Sequence, residues 1–347
     1  MSNVPGKSWF KINAGKLLKD YSYLLSFALL LIVGYINNDS FFNWRNITNI
    51  FVQSGTSSGI IAFGMTMVIC AGMIDISVGA QVAIVSGMSI DIFNDLITRF
   101  PALDGGLGIV SMLAFCLVFG LLIGTFNGLL VAKGHVPAMI ATLAVQTACR
   151  SLINYVGKLG PFSVANGNSQ TAFYQTFRLV AAGSIDVFGY KIPYPMLMFI
   201  ATGLLFGLIM QRTKLGKHIY AVGSNETSAR LAGVNVDRVK IAVFAITGIL
   251  CGLTAWIYGS RVMAVSANTT GNLFEMDAIA AVAIGGTAMS GGRGKVIGTF
   301  LGVLMFKIIN NILAGRMDPF LIGAISGVII IIAALLQNVQ GIRKQRR

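Results

Sequence analysis

From about residue 107 to residue 132 the chain carries no charged side chain at all. As a helix, that run would extend about 39 Å at 1.5 Å per residue, enough to cross a hydrocarbon layer about 30 Å thick. Comparable runs recur along the chain. Charged residues make up only 11% of the whole, against about 25% in an average soluble domain. Such a chain cannot clothe a water-facing surface. Inside lipid every backbone N–H and C=O must be satisfied within the protein, so only helices or a closed barrel can span. Long apolar runs predict helices. The fold class expected is therefore an all-α polytopic membrane protein forming a single transmembrane domain over residues 1–347.

About ten spans are legible: near 21–37, 47–70, from the Asp75–Gly79 interruption to 97, 107–132, 136–156, 193–211, 240–260, 277–290, 296–314 and 319–336. The eighth is short and Gly-rich, so a partial or broken helix is expected there. Lys7, Lys11, Lys16 and Lys19 precede the first run and no small-residue cleavage site follows it. It reads as a retained signal anchor behind a cytoplasmic segment 1–20.

The formal charge of +14 would suit a nucleic-acid partner were it not placed at segment ends. One side collects the N-terminal lysines, Lys133, six basic residues of 211–240, Arg293, Lys295 and the tail 337–347 with Arg343, Lys344, Arg346 and Arg347. The other has only Arg45, Arg99, Lys158, Arg178, Lys191, Arg261 and Arg316. The positive-inside rule then places both termini and the 212–239 loop in the cytoplasm. The other face has one long connection, 158–191, read either as a docking surface for an external partner or as a cover over the bundle.

The polar interval 211–240 holds a short helix signature from Ser224 to Gly233. Asn225 or Ser224 can cap it, Glu226 suits its positive end, and Gly233 suits a left-handed exit. Two turns do not persist alone in water, so a partner or the bundle must hold them.

An internal echo links Gly124-Thr125-Phe126-Asn127-Gly128 to Gly298-Thr299-Phe300-Leu301-Gly302, each followed by a span opening on Pro, at 137 and 319. Five spans separate the copies, which predicts inverted repeats over roughly spans 2–5 and 7–10. Chance similarity between Gly-rich spans is the competing reading. Small-residue pairs at i, i+4 (Gly55/Gly59, Gly120/Gly124/Gly128, Gly203/Gly207, Gly248/Gly252, Gly298/Gly302, Gly323/Gly327) predict close helix approaches.

Polar residues inside spans are the candidate functional positions. Thr142, Gln146, Arg150 and Asn154 form one stripe, either a wall of a hydrated path for a polyhydroxylated solute or a hydrogen-bonded helix seam. Asp75, with Ser77, either caps the following helix or binds a coupling ion. Lys307, Asn310 and Asn311 line a path or reach an interface. Cys70, Cys116, Cys149 and Cys251 lack metal-ligand spacing and read as packing residues, and no metal site is expected. Ser290–Val296 is not a phosphate loop: Met289 stands where its first Gly is required and Val296 where Ser or Thr would hold magnesium. No Ser/His/Asp set exists, so the chain is not expected to be an enzyme.

Several motifs, in order, resemble one family. Gly72-Met73-Ile74-Asp75-Ile76-Ser77-Val78-Gly79 looks like the GGIDLSVG stretch of ribose/xylose/galactose-type ABC transporter permeases, with Met73 departing from Gly. Ala221–Ala229 and Gly233–Val236 resemble their cytoplasmic coupling segment. Asp277–Gly286 and Ser290–Thr299 resemble their C-terminal signature. Similarity runs from about 47 to 336. In place of the Gly that usually follows Arg150, this chain has Ser151. The general EAA…G pattern is matched only loosely, with Ser228 and Ala229 at its Ala positions and Glu226 one residue early.

The resemblance implies a bacterial inner-membrane permease of the simple-sugar and autoinducer-2-like importer family. Its partners would be a second permease copy or homologue, two cytoplasmic ABC ATPase domains, a periplasmic solute-binding protein and a small sugar-like solute. It would bind no cofactor itself, ATP and Mg residing on the ATPase subunit. By the same resemblance Ser224, Asn225, Glu226, Ala229, Arg230 and Gly233 would contact the ATPase. Asp75, Ser77, Gly79, Asp277, Gly285 and Gly286 would be motif residues, while the spacing of Thr142, Gln146, Arg150 and Asn154 makes them the candidates for the path. An ion-coupled secondary transporter is the alternative, compatible with Asp75 and the repeats.

Overall fold

A computed structural model describes residues 22–158, 160–314, 317–318, 321–325, 327–328 and 331. The basic N-terminal segment, the basic tail and most of the tenth expected span lie outside these residues. The described chain is mostly helical. In order the helices are α1 (Ser22–Asn37), α2 (Trp44–Thr56), α3 (Ser58–Cys70), α4 (Val78–Arg99), α5 (Gly106–Ala132), α6 (Ala138–Gly157), α7 (Ala172–Ala182), α8 (Tyr194–Arg212), α9 (Lys214–Ser224), α10 (Glu226–Leu231), α11 (Val236–Val262), α12 (Phe274–Ile284) and α13 (Val296–Leu313).

Five of these, α4, α5, α8, α11 and α13, are long and apolar enough to cross a membrane. A sixth crossing is possible for α2 and α3, bent by 53° at Ser57. The expected second span is thus two helices. α6 has the length of a span at 20 residues, but Gln146, Arg150 and Asn154 dilute its apolar character. The expected eighth span, 277–290, is shorter than anticipated: α12 starts earlier, at Phe274, and stops at Ile284. Its 11 residues reach about 16 Å, half a bilayer core.

Two packing devices hold the bundle. The first is the crossing of α5 with α11. A Cβ on Gly120 would meet the Gly248 carbonyl, and one on Gly252 would meet that of Cys116. The backbones approach so closely that only hydrogen fits, which is what association in lipid exploits. Gly298 and Gly302 serve the same purpose against Gly285 and Ala281 of α12. Not every small pair is used: Gly207, Gly323 and Gly327 have nothing within 4 Å among the described residues. The second device is aromatic. Phe199 on α8 stacks on Phe300 of α13 at 4.8 Å and on Phe63 of α3 at 5.3 Å.

The 158–191 connection folds back as a cover. Phe162–Ser163 (β1) pairs antiparallel with Ala264–Val265 (β4). On α7, Phe173 and Phe177 are buried, stacking on Phe93 at 6.2 Å and tilting against Trp256 at 6.3 Å. Beyond α7 a hairpin, Ser184–Val187 (β2) with Tyr190–Pro193 (β3), leads into α8. All four cysteines are buried thiols.

Candidate functional site

Two interruptions of the helical ladder meet inside the bundle. After Cys70 the chain turns at Gly72 (φ +81), runs without regular structure to Ser77, and resumes as α4 at Val78. After Val262 it turns at Met263 (φ +56), folds through 266–273, and resumes as α12. The two resumptions abut. A Cβ on Gly79 would meet the Gly271 carbonyl, and Glu275 Oε2 at 2.6 Å; a Cβ on Gly271 would meet the Gly79 carbonyl. Two helix N-termini, that of the full-length α4 and that of the short α12, each a concentration of N–H groups without intrahelical partners, therefore lie side by side with a carboxylate beside each.

Around the first break the bonds are local and complete for one oxygen of Asp75. Its Oδ1 accepts from the Ser77 N–H at 2.9 Å and from the Ser77 hydroxyl at 2.5 Å. Ser77 Oγ accepts in turn from Gln81 Nε2 and Asn127 Nδ2, each at 2.8 Å. Asp75, Ser77, Gln81 and Asn127 are fully buried. The Ile76 N–H donates to Thr142 Oγ1 at 3.2 Å, which ties the break to α6. Around the second break, Arg150 donates from Nη1 to the carbonyls of Ala267 and Thr270, both at 2.6 Å. The α6 stripe thus holds both breaks, the first by Thr142 and the second by Arg150. Gln146 and Asn154, half-buried between and beyond them, present acceptor oxygens with no protein donor.

Glu275 had no place among the candidates. The sequence places it outside the expected eighth span, yet its residue is only 5% exposed because the first turn of α12 packs its carboxylate against Gly79 at the start of α4. A signal was present: Glu275 and Asp277 both fall in a helical first turn, where carboxylates are favoured. Asp277, two residues on, binds different partners. Its Oδ2 pairs with Lys307 Nζ at 3.4 Å and accepts from the Ser58 hydroxyl at 3.3 Å. Lys307 is therefore neither on an open path nor at an interface; it is buried and ties α13 to α12. Asn311 Nδ2 donates to Asn46 Oδ1 at 3.0 Å. Beyond Ile284, Gly285 lies against Gly298 and Gly286 adopts φ +82 to end the helix.

At the other end of the bundle lies the polar interval. α10 is a six-residue helix capped by Asn225, whose side chain accepts from the Ser228 N–H at 2.8 Å. Gly233 follows at φ +82. Ala229 is buried, while Leu231 is 85% exposed. A chain of ion pairs fastens α10: Glu226 to Lys240 at 2.8 Å and to Arg230 at 3.6 Å, Arg230 to Asp237 at 3.4 Å, and Asp237 to Lys133 at 3.0 Å. These bonds reach the start of α11 and the end of α5. α9, just before, wedges between the first break and the turn that follows α12. A Cβ on Gly223 would meet the Cys70 carbonyl and, at 2.8 Å, the Gly292 nitrogen. Tyr220 donates to the Gly294 carbonyl at 2.7 Å, and burial pushes its hydroxyl up to about 12, so it stays a donor at neutral pH. Ser224 lies against Gly292.

The whole-chain comparisons agree with the motifs. The family described as the branched-chain amino acid transport system / permease component matches residues 46–334. The chain belongs to this permease family. Its curated relatives include the ribose import permease protein RbsC of Haemophilus influenzae, 33% identical over 329 residues that cover 94% of this chain and 95% of the relative. RbsC of Escherichia coli K12 is 31% identical over 343 residues, 96% and 98% of the two chains. The xylose transport system permease protein XylH of Escherichia coli K12 is 30% identical, covering 82% of each. No solved structure matches. This permease is accordingly a multi-pass transport component of the sugar ABC importer family and not itself an ATPase.

Proposed function

We propose that this permease is the membrane-spanning subunit of an importer for a small sugar or related polyol. The solute would be delivered by a separate binding protein, and the energy supplied by ATP hydrolysis, with Mg, on two cytoplasmic ATPase domains. The observation that carries the reading is the near-full-length similarity to permeases named for ribose and xylose import. It favours a sugar over the amino acids in the family's description. On this reading the chain has about ten spans in a bacterial inner membrane, both termini in the cytoplasm, and pairs with a second permease. The adjoining breaks at Gly79 and Gly271 suit inverted repeats over spans 2–5 and 7–10.

α10 is the handle for the ATPase on this proposal, through Ser224, Asn225, Glu226, Ala229, Arg230 and Gly233. Its exposed Leu231 suits a partner's groove, and α9 carries its motion to the first break at Cys70 and to the turn at Gly292 that follows α12. Thr142, Gln146, Arg150 and Asn154 then line the route, as one stripe on α6 that reaches from the first break to the second.

The test is reconstitution into proteoliposomes with the ATPase and binding protein. Labelled ribose or xylose should enter only when all three components and ATP are present. Uptake by this chain alone, driven by a sodium or proton gradient, would establish the ion-coupled alternative instead.

A further inference from the structure

The β2–β3 hairpin is an unusual object for a membrane protein's surface. Its register pairs Ile185 with Ile192 and Val187 with Tyr190, so those four side chains share one face. Asp186 pairs with Lys191 and, with Ser184, occupies the other. The turn is the left-handed two-residue kind, with Phe188 at φ +53 and Gly189 at φ +83. Asn or Asp fills the first position of such a turn at lower cost than a bulky aromatic ring. Phe188 is nonetheless there, and it is 99% exposed. A two-stranded ribbon is marginal in water, and this one leaves Ile185 47%, Val187 39% and Tyr190 57% exposed.

Its surroundings say what covers it. Trp44 at the start of α2 donates to the Lys191 carbonyl at 3.0 Å and meets Tyr190 edge-on at 5.2 Å. Next along the chain, Phe42 contacts Tyr35 at 5.8 Å, and both are more than half exposed. Pro193 leads directly into α8, whose Leu204, Leu205 and Leu208 face outward. Tyr35, Phe42, Trp44, Phe188 and Tyr190 thus gather where α1 ends and α2 and α8 begin, with Arg45 and Lys191 beside them. Aromatic rings with flanking cations at helix ends are the composition of a membrane–water interface.

We propose that the hairpin is an interfacial anchor: its apolar face and Phe188 insert into the headgroup layer of the bilayer, with Ser184, Asp186 and Lys191 turned to water. The proposal rests on the chain spanning a bilayer and is independent of which solute it carries.

Spin labels on full-length Phe188→Cys and Ser184→Cys variants in lipid nanodiscs test this, since the native cysteines are buried. The ratio of oxygen to nickel-chelate accessibility should be several-fold higher at 188 than at 184, and Val187→Cys should follow 188. Equal nickel-chelate access at 188 and 184 in lipid alone would overturn the proposal. So would shielding of 188 that appears only on adding the binding protein or at permease concentrations that favour self-association.

Discussion

Replacing Lys307 by Met tests how α12 is held. The Lys307 side chain is 9% exposed and that of Asp277 is 24%, with Nζ and Oδ2 3.4 Å apart. At an effective dielectric of about 20, two unit charges at that distance attract by about 5 kcal/mol, most of which repays the cost of taking both from water. Removing only the cation strands the Asp277 carboxylate beside the Ser58 hydroxyl, its remaining partner at 3.3 Å. Breaking a buried pair in this way costs about 3–5 kcal/mol, or about two to four orders of magnitude in the folding equilibrium. Removing both charges costs far less, because nothing charged is left unpaired. Lys307→Met and Asp277→Asn should therefore each lower the midpoint of SDS or thermal unfolding of the permease in nanodiscs. The double variant should recover most of the loss. If Lys307→Met stays within about 1 kcal/mol of the parent, or the double variant falls by the sum of the singles, the pair does not act as a buried charge pair. The account of how α12 is fastened would then be wrong.

Gly248→Ala places a methyl group against the Gly120 carbonyl and Gly124 Cα, and should cost about 1–3 kcal/mol in the same unfolding assay, whereas Gly207→Ala, with nothing within 4 Å among the described residues, should be neutral or slightly stabilising. Asn225→Ala removes the α10 cap at a cost of about 0.5–2 kcal/mol, largely local, so ATPase stimulation by the reconstituted complex should fall while the global unfolding midpoint hardly moves. Glu226→Arg replaces the pair with Lys240 by a like-charge contact; with Glu226 45% exposed the loss of stability should stay under about 1 kcal/mol, while uptake coupled to ATP should fail. Arg150→Gln shortens the arm that reaches the Ala267 and Thr270 carbonyls and should increase hydrogen exchange across 266–273; exchange unchanged there would contradict its role in pinning that segment.

Much of this architecture is legible in the chain itself. Uncharged runs such as 107–132 can only be satisfied as helices in lipid, and α5 follows the expected bounds within a residue. Asn225 and Gly233 mark α10 because capping and left-handed exit are local chemistry, decided within a few residues. The tertiary structure decided the rest. Whether a polar residue in a membrane protein is exposed, paired or buried depends on what lies across from it, and hydropathy is silent on that. Lys307 and Asp277 are 30 residues apart and meet only because α12 and α13 pack through Gly285 and Gly298. Glu275 looks like a loop residue until the first turn of α12 packs against Gly79. The bend at Ser57 leaves no Pro or charge to announce it. Arg150 illustrates the division most plainly: the stripe spacing placed it on one face of α6, but only the re-entrant carbonyls of Ala267 and Thr270 gave its charge something to hold.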